Sequence, residues 1–157
     1  MDQDNAMDRD SSLPVECDFD PWGGDLDAQC AWKNFGGLTI HQAKARFREN
    51  PRYYQEDFMF MGGKAFAYYF PVIDDYLRTV PDIETDDDHE ARILADCIRN
   101  QFGHDLSRVR HLSARVLDLA DYVRRNIRRF GADDNERQCV AEAWTELVRH
   151  VRTASGL

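Results

Sequence analysis

Twenty-nine carboxylates, five histidines and four cysteines are the groups with which this chain of 157 residues would hold a metal or activate water. A catalytic metal site needs about three such ligands held together with one position left open. His41, His89, His104, His111 and His150 show no HExxH or HxH spacing. A metal-assisted hydrolase would have to gather His41, His89, His104, His111, Asp74 and Asp75 by folding alone, and it stands as the second functional reading. The acidic run Asp82 to Glu90 lacks the glycine of a calcium loop and suits a helix N-terminus better. In DFDPWGGDLD, an EF-hand frame starting at Asp18 puts Trp22 and Gln29 where carboxylates are required, so the segment reads as an acidic turn. No GxSxG, P-loop or GxGxxG is present, and Gly62-Gly63-Lys64 is too short to cradle a phosphate. No cofactor is expected.

The remaining reactive groups point to binding. Arg124, Arg125, Arg128 and Arg129 form two i,i+4 pairs whose guanidinium forks suit oxyanions, an acidic partner or the chain's own acids. Tyr68 and Tyr69 combine an apolar body with a polar tip, as do many interface residues, although such rings serve as core more often. Asp86, Asp87 and Asp88 supply dense negative charge. The net charge of −9 is uneven: −8 over residues 1–30, +2 over 31–80, −6 over 81–90, +5 over 91–130 and −2 beyond. That balance disfavours nucleic acid, whose phosphates demand basic surfaces, and favours docking to a basic protein.

These groups must be positioned by a core, and its source is plain. Ten of the eighteen aromatic residues lie between Phe47 and Tyr76. Residues 1–16 are polar and acidic and are expected to form a disordered tail, with residues 17–157 as a single helical domain. Cys17 to Gly37 reads as an irregular arm pinned by Trp22, Trp32 and Phe35. Thr39 with Gln42 fits a capping box for a helix ending near Glu49, before Asn50-Pro51. The segment from Phe58 to Tyr76 fits either a hairpin about Gly62-Gly63 or a helix from Gly63 through Pro71, and the alanines tilt it to helix. Thr85 is placed to cap a helix that carries Ile93, Leu94, Cys97 and Ile98 and ends at Gly103. Asp105 is expected to cap one long helix to Phe130, with Val109, Leu112, Val116, Leu119, Val123 and Phe130 as its seam and Gly131 as its left-handed stop. Asn126 interrupts that seam. A last helix from near Asp133, with Glu136 completing a capping-box-like pair, buries Val140, Trp144, Leu147 and Val151. Short connections predict antiparallel packing. The fold class is thus mainly α, a bundle of about five helices with an irregular N-terminal arm.

Cys17, Cys30, Cys97 and Cys139 contain no CxxC pair, and Cys97 and Cys139 lie among aliphatic residues as reduced small hydrophobes would. No run approaches the roughly 18 to 20 apolar residues of a membrane span. MDQDNAMDRD lacks the basic and apolar regions of a signal peptide, so a cytoplasmic location is expected.

Phe58 to Met61, followed by Ala65, Phe66, Tyr68, Tyr69, Phe70 and Pro71, resembles a signature of small uncharacterised bacterial proteins with an Ala-Phe-x-Tyr-Tyr-x-Pro motif. The likeness covers about twenty residues of the chain and departs at Phe70, where leucine is the pattern. It implies a bacterial origin and a helix rather than a hairpin, and carries no activity with it. The leading functional reading is therefore a non-enzymatic cytoplasmic protein-binding module, an immunity-type inhibitor of a basic partner.

Overall fold

The computed structural model describes residues 12–79 and 90–156. It is mainly helical, with no strand among the described residues. The helices are α1 (Glu16–Phe19), α2 (Leu26–Phe35), α3 (Ile40–Glu49), α4 (Pro51–Tyr54), α5 (Asp57–Phe60), α6 (Gly63–Thr79), α7 (Glu90–His104), α8 (Leu106–Val109), α9 (Ser113–Arg125) and α10 (Asp134–Ser155). Short 3-10 turns cover Arg110–Leu112 and Ile127–Arg129. Ten α-helices lie among the described residues in place of the expected five or so, because several are single turns that the apolar spacing does not distinguish from loop or from a longer helix.

The aromatic block is helix α6, not a hairpin. It runs through Pro71, which forgoes one backbone donor. Its buried face, Phe66, Tyr69, Phe70, Ile73 and Leu77, is fully shielded and packs against α3, α1 and α8. Local signals set α3 as anticipated. The Thr39 hydroxyl accepts from Gln42 N at 3.2 Å while Gln42 Oε1 accepts from Thr39 N at 2.9 Å.

The arm is not irregular. Asp25 caps α2, its carboxylate accepting from Asp27 N and Ala28 N at 2.9 and 3.1 Å. Phe35 is buried and Trp32 is half-buried, but Trp22 is 91% exposed and pins nothing. Of the tail expected over residues 1–16, the first eleven residues lie outside the described residues. Ser12 to Val15 lead into α1 with Pro14 buried.

The expected helix from Asp105 to Phe130 is broken. Asp105 makes no side-chain cap, and the chain passes through α8 and a 3-10 turn before α9 begins. Its seam residues are all buried nonetheless. Helix α9 stops at Arg125, where Asn126 Nδ2 donates back to Tyr122 O at 2.8 Å. Gly131 does not adopt a left-handed angle. It is required for room, since a Cβ there would lie 2.8 Å from Arg137 N in the first turn of α10. The left-handed stop belongs to Gly156, after α10. Thr85 lies outside the described residues, and α7 continues one residue past Gly103.

Helix α10 buries Val140, Trp144, Leu147 and Val151, as its sequence requires. It is capped by Asp133, which accepts from Glu136 N at 2.8 Å, but the Glu136 carboxylate accepts from Ala132 N at 2.8 Å instead of Asp133 N, so the pair falls one residue short of a full capping box. It runs antiparallel to α9, since Ser155 at its end meets Ser113 at the start of α9. Against α7 it runs parallel. Trp144 donates to Ala91 O at 2.8 Å near the start of α7, and His150 lies over Gly103 near its end. The antiparallel expectation concerns helices joined by short connections, and α7 and α10 are separated by α8 and α9. Buried residues from Phe19 to Val151 form one contiguous core. Cys97 is buried while Cys139, expected inside, is exposed; all four cysteines are free thiols.

Candidate functional site

A cleft of about 630 Å³ opens where the arm, α5, the end of α7 and the start of α8 meet. Each wall has a local cause. On the arm side, Gly23 and Gly24 take φ of 72° and 94°, angles that side chains oppose. Their N–H groups donate to Asp20 at 3.1 and 2.7 Å, and Gln29 Nε2 donates to the same carboxylate at 2.7 Å. These bonds, the one from Gln29 foremost, hold the Asp20 carboxyl below its ordinary value despite burial. The motif that resembles a calcium loop is thus a turn tied by its own carboxylate. It projects Trp22 into solvent beside Leu26, which is 85% exposed.

The floor is the short α5 and the Met61-Gly62-Gly63 turn. Gln101 on α7 is 3% exposed, and its amide donates to the carbonyls of Phe58, Met59 and Met61 at 2.9, 3.4 and 2.7 Å. Asn100 adds a bond to Met59 O at 3.3 Å. One side chain thereby satisfies carbonyls that a single helical turn leaves open. Both glycines are demanded by close approach: a Cβ on Gly62 would lie 2.3 Å from Asp18 O, and one on Gly63 would lie 2.4 Å from Asp105 Oδ2. Phe60, 39% exposed, and Met59 supply apolar surface, Asp25, Asp105 and Arg108 supply charge, and His104 adds an imidazole.

Below this floor lies a buried polar patch. Asp57 accepts from Asn34 Nδ2 at 2.8 Å, and burial pushes its carboxyl up to about 6. The Cys97 thiol donates to Gln55 O at 3.4 Å, and burial raises it well above the ordinary thiol range. A thiol so shielded is a structural residue, not a nucleophile.

None of the described residues singled out for partner binding lines the cleft. Tyr69 belongs to the core: it is fully buried and its hydroxyl reaches Phe35 O and Leu38 O at 2.9 and 2.7 Å. Tyr68 is half-buried. Asp86, Asp87 and Asp88 lie outside the described residues. The arginines do not share one helix, because α9 ends between Arg125 and Arg128. Arg125 pairs with Asp121 at 3.2 Å, and Arg129 reaches the Tyr122 hydroxyl, while Arg124 and Arg128 are exposed. Nor do the hydrolase candidates converge. Asp74 pairs with Arg78 at 3.1 Å and Asp75 with Arg48 at 2.8 Å. His104 borders the cleft, His111 lines a different pocket, and His89 is outside the described residues. No three His, Cys, Asp or Glu residues are grouped to hold a metal ion among the described residues, and none of their helices is long and apolar enough to cross a membrane.

The sequence did hold a signal for this site. Pro21-Trp22-Gly23-Gly24 places the largest side chain on a turn of residues that cannot pack around it. Gln101 carried none, since its three acceptors lie some forty residues earlier. No protein-family model matches the chain, and no curated protein or solved structure matches it either.

Proposed function

We propose that this chain is a non-enzymatic protein-binding module, of the immunity type that neutralises a basic partner, and that the partner docks on the cleft between the arm and α5. The observation that supports this reading is Trp22, 91% exposed on a turn whose next two backbone N–H groups are tied to Asp20. Aromatic anchors dominate association energies, tryptophan foremost. A solvated indole at the rim of a cleft with Phe60 and Met59 on its floor offers a partner a large apolar surface to cover. Asp20, Asp25 and Asp105 line the same cleft, which favours a partner segment bearing lysine or arginine beside its apolar group.

The test compares wild type with Trp22→Ala and Phe60→Ser as immobilised baits, followed by titration of each purified protein that the wild type retains. Each substitution is expected to weaken binding by about tenfold or more, the scale of an interface hot spot. Affinity should fall as salt rises from low to physiological strength. A partner held equally by wild type and both variants, or bound with salt-independent affinity, refutes docking at this cleft.

A further inference from the structure

On the other side of α8 from the cleft lies a second pocket, of about 460 Å³. Its lining includes Lys64, Arg108 and His111, with the side chains of Tyr68 and Ser107, and among the described residues contains no carboxylate. In a chain of net charge −9 that is an unusual concentration of donors. Lys64 comes from α6, while Arg108 and His111 come from α8 and the adjoining 3-10 turn, so the fold brings the lysine to the arginine and its neighbouring imidazole. Lys64 and Ala67 lie near the start of α6, a helix of 17 residues, whose N-terminal end favours negative charge. Among the described residues, the ion pair found for these cations is Lys64 with Asp18 at 3.5 Å. Pro14, Ala67 and the Tyr68 ring give the pocket an apolar wall.

We propose that this pocket binds a phosphate monoester carried on a small aromatic or apolar group. Arginine presents a fork that matches two phosphate oxygens, and lysine adds a compact charge. The volume exceeds what a bare phosphate fills, and the apolar wall accounts for the remainder of the ligand. The pocket shares Ser107 and Arg108 with the partner cleft across α8, but its test reads the binding of a small phosphate ester and does not depend on the protein-docking reading.

Phenyl phosphate is the probe, titrated into the full-length protein and followed by amide shift changes and calorimetry, with phenol and inorganic phosphate alongside. Saturable binding of phenyl phosphate is expected, tighter than inorganic phosphate and absent for phenol. Arg108→Gln and Lys64→Gln, both at exposed positions, should each weaken it by about tenfold, the worth of a charge-assisted hydrogen bond. No saturation, or binding undiminished in both variants, overturns the proposal. Inorganic phosphate binding as tightly as phenyl phosphate overturns the organic half of the assignment. Binding that emerges only when Asp8 and Asp10 are replaced by asparagine also overturns it, and gives the pocket to the chain's own leading acids.

Discussion

Replacing Asp57 by asparagine tests whether burial governs the acid beneath the cleft floor. The residue is 7% exposed and receives one hydrogen bond, from Asn34 at 2.8 Å. Desolvation lifts its carboxyl from 3.8 to about 6; the Asn34 bond opposes the rise and the charge of Glu56 adds to it. The folded protein therefore holds this proton more tightly than the unfolded chain does. Its stabilising contribution is complete below pH about 3.8 and is lost as pH climbs through about 6. The gap between the two values corresponds to about 3 kcal/mol, which screening at the open edge of the side chain reduces to about 2 kcal/mol. Asparagine keeps the shape, offers its carbonyl oxygen to Asn34 and carries no charge. Asp57→Asn should therefore be about 2 kcal/mol more stable than wild type at neutral pH and nearly equal to it at pH about 4. Urea unfolding at both pH values measures the difference. A variant less stable at neutral pH, or one separated from wild type by the same amount at both, refutes the argument. So does a carboxyl that titrates near 4 in a carbon-detected NMR experiment.

Three further substitutions probe the framework. Gln101→Leu leaves three carbonyls of the α5 turn without their donor and should cost about 1–3 kcal/mol in chemical denaturation, with amide exchange rising first over Phe58 to Gly63. Gly62→Ala pushes a Cβ to within 2.3 Å of a backbone oxygen that cannot rotate away, so a loss of about 1–3 kcal/mol is expected by thermal unfolding. Trp144→Phe removes the donor to Ala91 O and leaves unfilled volume in a fully buried site. Urea titration should register a loss of about 2 kcal/mol or more, and an unchanged midpoint would mean α7 is not anchored by this bond.

What could be read from the sequence was whatever is fixed within one or two turns. The Thr39 box, the Asp133 cap and the buried stripe of α10 are all local, and each appears in the structure where its residues place it. The seam from Val109 to Phe130 is buried as expected, yet its helix is interrupted twice. Apolar spacing reports which side of the chain faces the core, not whether the backbone stays α-helical in passing. At the first interruption the Ser113 hydroxyl takes up Arg110 O at 2.6 Å, a side-chain bond that competes with helix propagation. Helix α2 had a legible start in Asp25, but the glycines around it disguised the segment as loop. Beyond the exposed Trp22 the cleft had no local signal, because its walls come from residues about 20, 60 and 105, joined by the close approach of Gly62 and Gly63 to Asp18 and Asp105 and by the Gln101 bonds.

The three tryptophans occupy three unlike surroundings: Trp22 in water, Trp32 half-covered and Trp144 sealed in the core. Their fluorescence is consequently divisible without any label. Iodide, which collides only with solvated indoles, quenches the red-shifted share from Trp22 and spares the blue share from Trp144. Any molecule that settles over the arm shields the first population alone, whereas global unfolding makes all three accessible. The protein thus carries its own optical gauge of surface occupancy, separate from its gauge of integrity.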